Sequence, residues 1–306
     1  MDMYQKRKIR KEKRENSNQN EKFHKVVLNW YPGHMNKARR EMKEKMNLID
    51  IVYEVIDARM PISSKIVDID ELIGDKKRII IMTKYDICDK EETNKFIKYY
   101  ESLGYTVIPV DLMNGKETSK IIDKSMELME EENLKRKEKG LKPRSIRALI
   151  VGVPNVGKST LINRLVGKKS AGVGNKPGFT KSLSWIRIHK DIELLDSPGI
   201  LWPKIENQDN AHVLAALSSI KEEILDTMNL SCFILDKMIK LYPKNLEKRY
   251  GITEIDEDYI ETFDLIGKKR GALTRGGVAD YDKVANIIIR DLKNGYLGNI
   301  TLDRLD

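Results

Sequence analysis

Gly152-Val153-Pro154-Asn155-Val156-Gly157-Lys158-Ser159 decides the fold of this chain. The eight residues fit G-x-x-x-x-G-K-[ST], the pattern of a phosphate-binding loop. An apolar run, Ile146–Val151, leads into them, and residues 160–166 have helical composition. Glycines let backbone N–H groups turn inward around phosphates, and the helix N-terminus adds its positive dipole end. Lys158 is placed to reach β- and γ-phosphates, and the Ser159 hydroxyl to ligate Mg²⁺. Asn155, Val156, Gly157 and Thr160 complete the expected nucleotide contacts of the loop. A tight glycine-rich turn alone would satisfy the pattern, but a strand before and a helix after it argue for the phosphate loop.

Downstream, Glu193-Leu194-Leu195-Asp196-Ser197-Pro198-Gly199 closes an apolar strand with an acid and then a glycine. Such a D-x-x-G places Asp196 to hold Mg²⁺ through water and the Gly199 N–H to meet a γ-phosphate. Between the two motifs, Pro177-Gly178-Phe179-Thr180 offers Thr180 as a further Mg²⁺ ligand that orders its loop when a γ-phosphate is present. Alone, Thr180 would read as an ordinary loop threonine.

Base choice requires another element. An Asn-Lys-x-Asp motif reads guanine, its carboxylate accepting from N1–H and the exocyclic amine. This chain has Thr83-Lys84-Tyr85-Asp86 at the end of the apolar run 78–82. Asp86 is placed to read the base, with the Lys84 stem over the ring. Thr83 lacks a carboxamide, so one polar contact must be weakened or replaced. This motif precedes the phosphate loop, whereas in the usual order it follows. Nothing after Gly199 reads as an apolar strand ending in [NT]-K-x-D. Asp50-Ile51-Val52-Tyr53-Glu54-Val55-Ile56-Asp57-Ala58-Arg59 likewise resembles the strand that normally comes after D-x-x-G. The segments are the expected ones in rotated order, which is physically allowed when the sheet order is kept.

Apolar runs at 51–56, 78–82 and 106–110 alternate with helical composition at 91–103 and 118–139, the pattern of βαβ units around a parallel sheet. Runs at 184–188 and 192–195 read as a strand pair. From about residue 206 only helical periodicity remains, at 211–228, 230–242, 259–267 and 281–294. The expected fold is therefore an α/β phosphate-loop domain with a parallel-rich sheet in circularly permuted order, over residues 26–205, followed by a small all-helical domain, 206–306. Residues 1–25 form a basic extension read as disordered. Net charge is +9, and residues 1–45 hold 14 Lys/Arg against 6 Asp/Glu, so the excess sits near the start. Such a block suits a polyanion as well as it suits a solvated tail. No run of about 18 apolar residues suggests a membrane span. The two cysteines, Cys88 and Cys232, lack metal-site spacing, and a reducing cytoplasm is the expected compartment.

The rotated order, with Trp30-Tyr31-Pro32-Gly33-His34-Met35-Asn36-Lys37-Ala38 in front, resembles the circularly permuted GTPases, and among them the ribosome biogenesis GTPase A family. Asp57-Ala58-Arg59-Met60-Pro61 and residues 152–161 carry the resemblance most specifically, and Gly276–Lys283 is its best local match in the helical tail. The resemblance implies a cytoplasmic enzyme that binds GTP and GDP and hydrolyses GTP. It implies a partner, the large (50S) ribosomal subunit precursor with its rRNA and ribosomal proteins, which the enzyme helps through late assembly and which stimulates hydrolysis. The helical tail is then an RNA-contacting domain, and neither DNA nor a membrane is an expected partner.

Further expectations follow from the resemblance. Ile200 stands where Ras-like enzymes have a water-orienting Gln, so the catalytic group must come from elsewhere, and His34 is the family's candidate. Asn155 corresponds to the K⁺ ligand of potassium-activated GTPases, where the ion supplies positive charge beside the phosphates. The last guanine-contacting loop falls at Asp111-Leu112, where the family usually has Ser-Ala, so guanine preference is expected to soften there. A GTP-gated RNA-binding module with negligible hydrolysis of its own is the alternative reading, and an ATP-using enzyme a third. An N-terminal OB barrel or zinc finger, as in other permuted GTPases, does not fit the short segment before Val27 or the cysteine count.

Overall fold

The computed structural model describes residues 33–115, 117–141, 144–167, 183–201, 208–219 and 226–305. The chain divides into two compact units. One comprises Asn29–Ile205 together with Asp303–Asp306, and the described part of the other lies within Glu206–Leu302.

The first unit is built on one sheet. Its strands are β1 (Ile51–Asp57), β2 (Lys77–Thr83), β3 (Thr106–Pro109), β4 (Ile146–Val151), β5 (Ser184–His189) and β6 (Ile192–Asp196). They lie in the order β3-β2-β1-β4-β6-β5. Every pairing is parallel except β5 with β6. All seven residues of β1 are buried, and β2 and β4 are nearly so. Parallel strands covered on both faces read as continuous apolar runs, which is why these three stand out in the sequence. β5, at one edge, is mostly exposed.

Among the described residues, the α-helices of this unit are α1 (Gly33–Lys45), α2 (Ile69–Ile73), α3 (Lys90–Ser102), α4 (Thr118–Leu128), α5 (Glu130–Glu138) and α6 (Lys158–Val166). α1 buries Met35, Ala38 and Met42, spaced to share one helical face. The Asp89 carboxylate caps α3 by accepting the Glu92 N–H at 3.2 Å, and Phe96 and Tyr100 turn inward one turn apart. Below α4, the Ser125 hydroxyl sits 2.7 Å from the Tyr53 hydroxyl of β1, satisfying a buried phenol. The helix expected over 118–139 is two helices. Met129 leaves helical geometry with φ −97° and ψ 2° and is buried, whereas α5 buries nothing.

This sheet order explains the rotated sequence. β4, which feeds the phosphate loop, is central. The strands that come first in the chain, β1 to β3, lie on one side of it, and β5 and β6 lie on the other. The fold is a circularly permuted α/β domain with a mostly parallel sheet.

The second unit contains α7 (Gln208–Ala216), α8 (Thr227–Leu241), α9 (Pro243–Tyr250), α10 (Ile260–Arg270) and α11 (Tyr281–Lys293). The helix expected over 211–228 ends at Ala216, and Ser218 takes a left-handed φ of 65°, a value that stops a helix. α8 begins afresh with Asp226 accepting the Met228 N–H. α9 is not among the expected helices, although Pro243 at its first turn is a helix-start signal. Phe263 meets Tyr281 edge to face, with centroids 5.9 Å apart. The buried Asp291 accepts from Arg249 Nε at 2.7 Å and from the Tyr250 hydroxyl at 2.9 Å. No helix among the described residues is long and apolar enough to cross a membrane.

Candidate functional site

The phosphate loop leaves β4 at Val151 and enters α6 at Lys158. Gly157 caps α6 with φ 104°, a left-handed value that favours glycine. Space at Gly157 is bounded by Leu112 and Thr83, since a Cβ there would stand 3.3 Å from Leu112 Cδ1 and 3.6 Å from Thr83 Cβ. The phosphate loop therefore packs directly on the end of β2 and on the 111–115 turn. Lys158 is buried, and its ammonium donates to the carbonyls of Gly152 and Val153 at 2.8 and 2.9 Å. Burial pulls its pKa down to about 8, with the Asp196 carboxylate pushing the other way. Asn155 is exposed in the left-handed region, Val156 is buried, and Thr160 is exposed on the first turn of α6.

Asp196 ends β6 and is buried near this lysine. Gly199 lies against the loop, where a Cβ would stand 2.8 Å from Pro154 Cα and 2.9 Å from its N. Only glycine permits that approach. The next residue, Ile200, is fully buried and donates its N–H to the Gly152 carbonyl at 3.2 Å. The D-x-x-G segment and the phosphate loop thus form one packed surface.

At the end of β2 the Thr83 hydroxyl lies within hydrogen-bonding distance of the Ile56 carbonyl, at 3.1 Å, and of the Val156 carbonyl. Having one proton, it donates to one at a time. A hydroxyl thus stands where the usual motif has the carboxamide of Asn, and it joins the end of β2 to the phosphate loop. Lys84, with φ 59°, donates through Nζ to Asp57 Oδ2 at 2.8 Å and to the Asn155 carbonyl at 2.9 Å. Asp86 follows in the same turn, half-buried. Asp111 closes its own turn, its carboxylate accepting from the N–H groups of Met113 and Asn114 at 3.0 Å each and from Asn114 Nδ2 at 2.6 Å. Leu112 is buried behind it.

Three residues to which the sequence alone assigns no role complete the arrangement. Arg164 of α6 donates through Nε to the Leu112 carbonyl at 2.7 Å and through Nη2 to the Met113 carbonyl, clamping the 111–115 turn to the helix of the phosphate loop. Asp57 is fully buried and accepts from the Arg59 N–H, from Arg59 Nε and Nη2, and from Lys84. Burial alone would raise its pKa, but the adjacent Arg59 and Lys84 charges hold the carboxyl well below the usual carboxylate range. Arg59 is the third. The Asp57-Ala58-Arg59 triplet is visible in the sequence as a motif, but its work of holding Lys84 is not.

His34 is the second residue of α1, and its side chain lies outside the described residues, as does Thr180 altogether. Among the described residues no cluster of three or more His, Cys, Asp or Glu side chains is placed to hold a metal. The oxygen donors at hand are the Ser159 hydroxyl and the Asp196 carboxylate.

Residues 147–270 match the family described as 50S ribosome-binding GTPase. The match opens inside β4 and omits β1 to β3, which a pattern running forward from the phosphate loop cannot reach when those strands lie upstream. The chain is 45% identical over 279 residues to Ribosome biogenesis GTPase A of Priestia megaterium, covering 91% of this chain and 97% of that one. It is 31% identical to Ribosome biogenesis GTPase A of Thermotoga maritima, covering 90% and 94%. Among solved structures, GDP-bound YlqF matches with a TM-score of 0.62 at 27% identity, covering 87% of this chain and 99% of that one. GNP-bound YlqF from T. maritima matches at 0.60 and 28% identity, covering 88% and 98%.

Proposed function

This chain belongs to the ribosome biogenesis GTPase A family, and from that premise we propose how its residues carry out the work of a GTPase in ribosome assembly. Hydrolysis of GTP to GDP and phosphate is the activity, and a ribosomal particle is the partner. The finer reading is that the chain binds the large (50S) subunit precursor in the cytoplasm, promotes its late assembly, and hydrolyses GTP when that particle stimulates it. The observation that supports its nucleotide-binding part is the packing of Gly157 against Thr83 and Leu112, which brings the phosphate loop beside the end of β2.

In this reading Lys158 binds the β- and γ-phosphates, helped by the N–H groups of Val156, Gly157, Ser159 and Thr160 and, for the γ-phosphate, Gly199. Asp86 accepts from guanine N1–H and its amine, Lys84 covers the ring, and the turn at Asp111 and Leu112 closes over the base. Ser159, Thr180 and, through water, Asp196 would hold Mg²⁺, and Asn155 would hold K⁺. Hard oxygens in small number suit Mg²⁺, which takes its remaining oxygens from phosphate and water. Both ions supply positive charge against the phosphates. Ile200, buried and apolar, has no means of orienting water, so His34 is assigned that task. The helical unit is the RNA-contacting part.

The buried Ile200 also favours a second reading, in which the chain is a GTP-gated RNA-binding module with negligible turnover. Measuring GTP turnover with and without large ribosomal subunits, in K⁺ and in Na⁺, separates the two. The first reading expects turnover that rises with subunits and with K⁺ and is lost in His34→Ala. Subunit binding without any rise in turnover would establish the second.

A further inference from the structure

The last described residues, Asp303 to Leu305, belong to the first unit rather than to the helical one that precedes them in the chain. Asp303, 9% exposed, accepts at Oδ2 from the N–H groups of Ile62 and Ser63 at 2.7 and 2.8 Å. At Oδ1 it accepts from the Ser63 hydroxyl at 2.6 Å. One carboxylate thus satisfies two backbone donors and a hydroxyl of a single turn, 240 residues upstream. Two flanking contacts hold it there. Arg304 Nε lies 3.8 Å from Glu92, and Leu305 packs on the cluster that contains Ile56, Ala58, Met82 and Phe96.

The turn that Asp303 grips is the one that follows Asp57-Ala58-Arg59. The Met60 N–H donates to the Asp57 carbonyl and the Ser64 N–H to the Met60 carbonyl, each at 2.9 Å. The buried Ser64 hydroxyl donates to the Met60 carbonyl at 2.6 Å and accepts the Asp57 N–H at 3.0 Å. Asp57 in turn holds Lys84, and Lys84 reaches the Asn155 carbonyl. A continuous series of short contacts therefore runs from the tail carboxylate to the phosphate loop.

We propose that Asp303 is a positioning residue for the nucleotide site: it fixes the 60–64 turn, the turn fixes Asp57, and Asp57 fixes Lys84 between base and phosphate loop. The inference rests on the reading of Lys84 as a nucleotide contact. Its physical basis is that a buried hydrogen-bonded network loosens when one of its members loses a partner.

The test is the release rate of a fluorescent GDP analogue from the full-length protein, in wild type, Asp303→Asn, Lys84→Met and the double variant. Asn keeps the shape of Asp303 but loses its charge and one acceptor, so release should quicken about fivefold, the effect of one weakened charged hydrogen bond. Added to Lys84→Met, which alone quickens release, Asp303→Asn should change release by less than about twofold, because the path ends at that lysine. Ser63→Ala, which removes only one of the three contacts, should act in the same direction and more weakly. Unchanged release in Asp303→Asn overturns the proposal. Full additivity with Lys84→Met also overturns it, since general loosening would act through other residues. Unchanged release in Lys84→Met removes the reading of Lys84 itself, and the proposal with it.

Discussion

Lys84 Nζ lies 2.9 Å from the carbonyl oxygen of Asn155, 71 residues further along the chain. That contact joins the Thr83–Asp86 segment, which comes first in the sequence, to the phosphate loop, which comes second. Thr83 makes the neighbouring join through Val156. The site is therefore built from two halves in reversed order, brought together because β2 and β4 both flank β1.

Thr83→Val keeps the volume and removes the hydroxyl. The Ile56 and Val156 carbonyls are deprived of a buried donor, so the protein should lose about 1–2 kcal/mol of stability. GDP should bind several-fold more weakly, because the loop loses its tie to β2. Urea denaturation and calorimetric titration check the two effects.

Asp57→Asn leaves Arg59 and Lys84 without their shared carboxylate in a fully buried place, and should cost about 3 kcal/mol. The pH dependence has a definite sign. The folded pKa of Asp57 lies below its ordinary value of 3.8, so its contribution is fully present above that value. It is lost only as pH falls through the depressed folded value. The stability gap between wild type and variant should stay constant from pH 8 to 5 and close only in stronger acid. Denaturation midpoints measured across that range check it.

Lys158 is held down to about 8 by burial, and an anionic phosphate beside it would restore its charge. At pH 8 the free protein should have the lysine about half protonated, so GDP binding should take up about half a proton. At that pH the phosphates are already ionised and guanine is not. Calorimetry in buffers of different ionisation enthalpy measures the uptake directly. The same burial depresses stability below about pH 8 and relieves it as pH rises toward the unfolded value of 10.5, so stability rises with pH here as it does for Asp57, but in an alkaline window.

Gly199→Ala forces a Cβ to within 3 Å of the Pro154 backbone. Backbone has no rotamer to yield, so the D-x-x-G segment must move off the phosphate loop, at a cost of about 1–3 kcal/mol. GDP affinity should fall little, since the β-phosphate cradle stays with β4 and α6. GTP affinity should fall more, and the GTP-to-GDP ratio of dissociation constants reads the difference.

Much of this arrangement is visible in the sequence because its parts are contiguous. Residues 152–159, 83–86 and 196–199 each end an apolar run, and parallel strands buried on both faces announce themselves that way. The rotated order is visible for the same reason. Pairing across distance is not. Arg164 gives no local sign that it clamps Leu112, nor Asp303 that it grips Ser63, since such contacts exist only once the sheet has formed. Helix ends escape where a single residue departs from helical geometry, as at Met129 and Ser218, because composition on either side stays helical. His34 and Thr180 rest on sequence alone.

On the proposed function, Thr83–Asp86 and Gly152–Ser159, in reversed order, form one guanine-nucleotide site. Its most direct measurement is the affinity of wild type and Asp86→Asn for GDP and for xanthosine diphosphate, whose ring carries an oxygen where guanine carries an amine. A carboxylate accepts from guanine's amine, whereas an amide can donate to xanthine's oxygen. Wild type should prefer GDP, and Asp86→Asn should lose at least about tenfold in GDP affinity while gaining affinity for the xanthine nucleotide. Undiminished GDP binding by Asp86→Asn, with no gain for the xanthine nucleotide, would mean that Asp86 does not read the base and that the two segments do not form one guanine site.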